Sequence, residues 1–91
     1  MRVRIFATLR SFVGAKEVEV DVEAGDTVRN MLDKLTDEYP TLRERVLDDE
    51  GNLQSSINVF VNGRNIKFLD GLNSPIQEGD RLALFPPVGG G

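Results

Sequence analysis

One stretch of this chain has helical spacing over about three turns, and segments with strand spacing lie on both sides of it. Val28, Met31, Leu32, Leu35 and Tyr39 recur at the intervals that place side chains on one helix face. Gly25-Asp26-Thr27 introduces the run, and Asp26 or Thr27 can cap it by accepting a hydrogen bond from a first-turn amide. Pro40 ends it, because the residue before a proline is pushed away from helical conformation. Lys34 and Glu38, one turn apart, occupy the solvated side.

Upstream, residues 2–7 alternate, with Val3, Ile5 and Ala7 on one face and Arg2, Arg4 and Phe6 on the other. Residues 16–23 alternate more regularly: Val18, Val20 and Val22 against Glu17, Glu19, Asp21 and Glu23. Both read as half-buried strands. The stretch 8–15 is too long for a two-residue turn, and a loop with a short helical turn bearing Leu9 and Phe12 is expected there.

Downstream, residues 41–47 read as one short helical turn and 48–52 as a polar turn. Asp48, Glu50 and Asn52 faintly resemble a calcium loop, but Leu53 stands where glycine is required and Gly51 is misplaced, so no metal is assigned. Ile57, Val59 and Val61 form the inward face of a strand, with Asn58 and Phe60 outward. Asn62-Gly63 is a hairpin signal, since both central positions of that turn need positive φ. A short strand returns over 64–68, and the turn 75–80 feeds a last strand over 81–85.

The order strand, strand, helix, strand, short strand, strand predicts an α+β fold. A mixed four- to five-stranded sheet packs on one main helix, with the first and last strands adjacent and parallel at the centre. Ninety-one residues suffice for one such core, and no repeat or second domain interrupts them.

Composition narrows the function. Eleven basic against 15 acidic residues give a net charge of −4, and the arginines are scattered, which argues against nucleic acid as a partner. Without cysteine or histidine the commonest nucleophiles, general bases and transition-metal ligands are missing, so an enzyme is not expected. No apolar stretch reaches the length of a membrane helix or signal peptide, and a cytoplasmic monomer is the default expectation.

The last strand stops at Pro86-Pro87, and four residues follow, Val88-Gly89-Gly90-Gly91. They can reach at most ~14 Å as a thread without side-chain bulk. Residues 1–87 are therefore expected to form the folded domain and 88–91 a flexible tail whose tip enters a narrow site. The other reading of the glycines is a frayed end on a passive interaction domain.

Several segments carry a family resemblance: Val3-Arg4-Ile5-Phe6-Ala7, Ile57-Asn58-Val59 with Asn62-Gly63, Glu78-Gly79-Asp80, and Leu84-Phe85-Pro86-Pro87-Val88 with its glycines. Together they resemble the β-grasp, ubiquitin-like sulfur carriers. These are the small subunit of molybdopterin synthase (MoaD-like), its thiamine-pathway cousin (ThiS-like) and the archaeal small modifier proteins. The ending points to the molybdopterin and archaeal-modifier side. Gly89 departs from the alanine or serine common there, which loosens the tail without touching its chemistry.

The resemblance implies that a ubiquitin-activating-type adenylating enzyme, using its own ATP and magnesium, joins the Gly91 carboxylate to AMP. A sulfur nucleophile then displaces AMP and leaves a thiocarboxylate. The large subunit of molybdopterin synthase would receive it and transfer sulfur to a pterin precursor of molybdenum or tungsten cofactor. The alternatives are an isopeptide bond from Gly91 to lysines of other proteins, and tRNA thiolation. The chain itself is expected to bind no cofactor. Docking is expected on the open face of the sheet, through Phe6, Phe60 and Phe85 with Pro86 and Pro87, unless these rings fold under a loop into a minor core.

Overall fold

The computed structural model describes residues 1–86. Strands β1 (Arg2–Ile5), β2 (Glu17–Glu19), β3 (Asn58–Val61), β4 (Arg64–Asn65) and β5 (Leu82–Phe85) form one sheet in the order β2-β1-β5-β3-β4. β5 occupies the centre, parallel to β1 through Val3↔Leu82 and Ile5↔Leu84, and antiparallel to β3 through Val59↔Leu84 and Asn58↔Phe85. The helices are α1 (Arg10–Val13), α2 (Val28–Glu38) and α3 (Pro40–Val46).

The alternating pattern sets which face is covered. Val3, Ile5, Val18, Val59, Leu82 and Leu84 are buried and share one core with Val28, Met31, Leu32 and Leu35 of α2. Each such side chain contributes about 1.5–3 kcal/mol when fully buried. Val20 and Val22 are buried as expected, but the ladder to β1 stops at Glu19, and beyond it the Val22 amide bonds its own chain at the Val20 carbonyl.

Of the two residues able to cap α2, Thr27 does so. Its hydroxyl accepts from the Asn30 amide, while Asn30 Oδ1 accepts from the Thr27 amide at 2.9 Å, forming a reciprocal box. Asp26 instead accepts from the Glu23 amide and closes the preceding turn. The start of α2 is also stitched to the segment leading into β5, through Val28 N to Ser74 O and Ile76 N to Asp26 O.

Four expectations need correction. Ala7 does not continue β1. It is exposed, has φ 52°, and opens a 3-10 turn that turns the chain toward α1. The returning strand ends at Asn65, because the Asn65 side chain accepts from the Lys67 amide and Ile66 turns into the core as a 3-10 turn begins. Residues 41–47 form most of a helix of nearly two turns, since Pro40 both stops α2 and occupies the first turn of α3, where its missing N–H costs nothing. Tyr39, expected on the buried stripe, is only half-buried at the junction.

Candidate functional site

β5 carries Phe85 at its end, opposite in parity to the inward Leu82 and Leu84. By the same parity Phe60 on β3 points away from α2, and Phe6 continues β1 by donating its amide to the Leu84 carbonyl at 3.1 Å. The three rings therefore meet on the open face. Phe6 stacks on Phe85 with centroids 4.2 Å apart and planes 10° off parallel, and Phe60 meets Phe85 edge-on at 5.1 Å. All three are half-buried, as expected of rings that cover one another while leaving an outer surface to solvent.

Two arginines frame this patch. Arg4 lies 5.2 Å and Arg10 5.6 Å from the Phe6 centroid. Arg10 is fixed by donating Nε to the Ile5 carbonyl at 2.8 Å, a bond the Ala7 turn makes reachable. Arg2, on the same strand, is engaged with Glu17 and Glu19 of β2 at 3.9 and 4.0 Å. Although the chain is acidic overall, the rim of its aromatic patch is cationic. Arg4 was legible as a same-face neighbour of Phe6. Arg10 was not, because only the turn brings it back.

The entry to β5 is held by a polar network that sequence reasoning missed. Asn62 and Gly63 have φ 54° and 81°, the hairpin conformation expected of them. Asn62 Oδ1 also accepts from the Arg81 amide at 2.9 Å, and its Nδ2 donates to Asp80 at 2.9 Å. Asp80 in turn accepts from the Gln77 amide at 2.8 Å, tightening the turn before β5.

At the other end of β5, Pro86 is buried. It forms one wall of a cleft shared with Leu9, Phe12, Arg45 and Ile57. Pro86, expected among the docking residues, thus follows directly on β5 and is buried beside that cleft. Pro87, Val88, Gly89, Gly90 and Gly91 lie outside the described residues. In the polar turn, Asp48 Oδ1 accepts from the amides of Glu50 and Asn52, both at 2.9 Å. No helix among the described residues is long and apolar enough to cross a membrane.

A sheet with its first and last strands parallel at the centre, one main helix across one face and an aromatic patch at the C-terminal end of the last strand narrows the comparison with known proteins. The family model described as the ThiS family matches residues 3–91. The chain belongs to the ThiS family. Small archaeal modifier protein 1 of Haloferax volcanii is 42% identical over 91 residues, which is 100% of each chain. Its crystal structure superposes with a TM-score of 0.86 at 41% identity, covering 99% of this chain and 97% of that one. A chain of the Amycolatopsis orientalis BexX/CysO complex superposes with a TM-score of 0.83 at 33% identity, covering 99% and 98%. The molybdopterin synthase sulfur carrier subunit of Mycobacterium tuberculosis is 32% identical over 73 residues, 80% of this chain and 74% of that protein. The fold is thus the ubiquitin-like β-grasp of a family of sulfur carriers and modifier proteins.

Proposed function

We propose that this ThiS-family chain is a sulfur carrier whose reactive group is the Gly91 carboxylate. A free carboxylate is ionised at neutral pH and a poor electrophile. A partner enzyme with ATP and magnesium converts it to an acyl-adenylate, and a sulfur nucleophile displaces AMP to leave a thiocarboxylate. The observation that carries this reading is the placement of the tail's root. Phe85 and Pro86 end the central strand of the sheet, so a partner gripping the aromatic patch holds a rigid point from which Val88, Gly89, Gly90 and Gly91 reach its active site. Phe6, Phe60 and Phe85 form the docking surface. The acceptor is a pterin precursor held by a synthase large subunit, in line with the relative named as a molybdopterin synthase sulfur carrier subunit.

A second reading keeps the adenylate and changes the acceptor to protein lysines. Identity of 42% over the whole length to a modifier protein favours it. Peptide mapping separates the two after incubation with ATP, adenylating enzyme and a sulfur source. Sulfur in place of one oxygen at Gly91 supports the carrier. Trypsin cuts last at Arg81, so a branch made of residues 82–91 on lysines of other proteins supports the modifier. If deletion of Gly90 and Gly91 left both products unchanged, the glycines would be a passive end.

A further inference from the structure

Asn62-Gly63 is the only Asn-Gly pair in the chain, and its place in the hairpin carries a chemical liability. The backbone nitrogen after an asparagine can attack that asparagine's own side-chain amide. Glycine makes this easiest, because it puts no β-carbon beside the attacking nitrogen. Both residues are exposed, and a β-carbon built at Gly63 would meet nothing within 4 Å, so water and base reach the turn freely.

The fold holds the other reacting group back. The Asn62 amide donates to the Arg81 carbonyl at 2.8 Å, and the Arg81 amide donates in return to Asn62 Oδ1 at 2.9 Å. Nδ2 of Asn62 donates to Asp80 Oδ1 at 2.9 Å. Asp80 is itself fixed, because its Oδ2 accepts from the Gln77 amide at 2.8 Å. In the sheet, β5 and β4 lie on opposite sides of β3. The Asn62 side chain is therefore drawn toward the entry of β5, while Gly63 leads away into β4. Closing on the Gly63 nitrogen requires both side-chain bonds to break.

We propose that Asn62 is a deamidation site of this protein, guarded in the folded chain by its clasp on Asp80 and Arg81. The Gly63 nitrogen gives its proton to solvent and attacks Cγ of Asn62. A C–N bond forms, the bond from Cγ to Nδ2 breaks, and ammonia leaves after taking a proton from solvent. Water then opens the cyclic imide at either carbonyl, giving aspartate or isoaspartate. Water is the only co-reactant, and nothing is oxidised or reduced. The aspartate product has no N–H for Asp80 and sets two carboxylates against each other where a hydrogen bond stood. The isoaspartate product reroutes the main chain through Cβ inside a tight turn. Either one loosens the entry to β5, the strand that ends in Phe85.

The test incubates the full chain at mildly alkaline pH, folded and in denaturing guanidinium, and follows the tryptic peptide 46–64 by mass and retention. That peptide also holds Asn52 and Asn58, each followed by an apolar residue, as internal references. Conversion at Asn62 is expected to be slow in the folded wild type and fast in the unfolded chain. In folded Asp80→Ala it should rise about tenfold, since a hydrogen bond to a carboxylate is lost. Thr27→Ala, which opens the α2 cap without touching this turn, should match the wild type. Asn62→Asp, which carries one product, should unfold at a lower denaturant concentration. Should Asp80→Ala not fold, Asp80→Asn, which cannot accept from both partners, must still deamidate faster than the wild type. Equal rates in the wild type and the Asp80 variant, or in folded and unfolded chain, would overturn the inference. So would a rise in Thr27→Ala as large as in Asp80→Ala, which would make global unfolding the gate, or an unchanged midpoint in Asn62→Asp.

Discussion

Asn62 and Asp80 show how few side chains aim the central strand. Asn62 pairs positive φ with two side-chain hydrogen bonds across to Asp80 and Arg81. Asn62→Ala removes both bonds and leaves a β-carbon in the left-handed region with no local compensation. A loss of about 2 kcal/mol is expected, read as a lower urea midpoint at unchanged slope. Thr27→Ala, by opening the capping box of α2, should cost about 1 kcal/mol. Both lie away from the aromatic patch, so binding to the adenylating enzyme should be unchanged in folded protein. The hairpin signal of Asn62-Gly63 was legible because the turn type itself demands those residues. The Asn62–Asp80 bond was not, because it joins residues 18 apart whose meeting depends on β3 and β5 being neighbours.

Among the elements, the sheet's two faces behave as alternation predicts. Inward valines and leucines make the core, and the outward parity of β1, β3 and β5 assembles Phe6, Phe60 and Phe85. Where periodicity misled, a local bond won. Ala7 left β1 for a turn, and Asn65 ended β4 through its own side chain. Phe85 touches both other rings and should be the centre of the interface. Phe85→Glu is expected to weaken binding to the adenylating enzyme by at least about 2 kcal/mol, or roughly thirtyfold in Kd, with Phe60→Ala smaller. Unchanged affinity in both folded variants would remove the patch from the docking surface. Arg4 sits at its rim, so Arg4→Ala should lower the association rate and flatten its salt dependence while the dissociation rate barely moves.

Across the whole molecule, structure and chemistry divide. Among the described residues the buried apolar core runs from Val3 to Leu84, and the last two glycines carry no side chain to add to it. Deletion of Gly90 and Gly91 should therefore abolish sulfur loading while the thermal midpoint stays within a degree or so. The core is the part that the sequence made legible and the structure bears out. Apolar periodicity dictates the β-grasp core, while the proposed threading of the ending rests on its composition, free of side-chain bulk after two prolines. The acceptor of the proposed transfer is written in neither. The most direct measurement is the intact mass and C-terminal peptide map of the protein after incubation with ATP, magnesium, adenylating enzyme and a sulfur source. Exchange of one oxygen for sulfur, located at Gly91, is the predicted result. An unaltered carboxylate at Gly91, with no adenylate formed, would contradict the account.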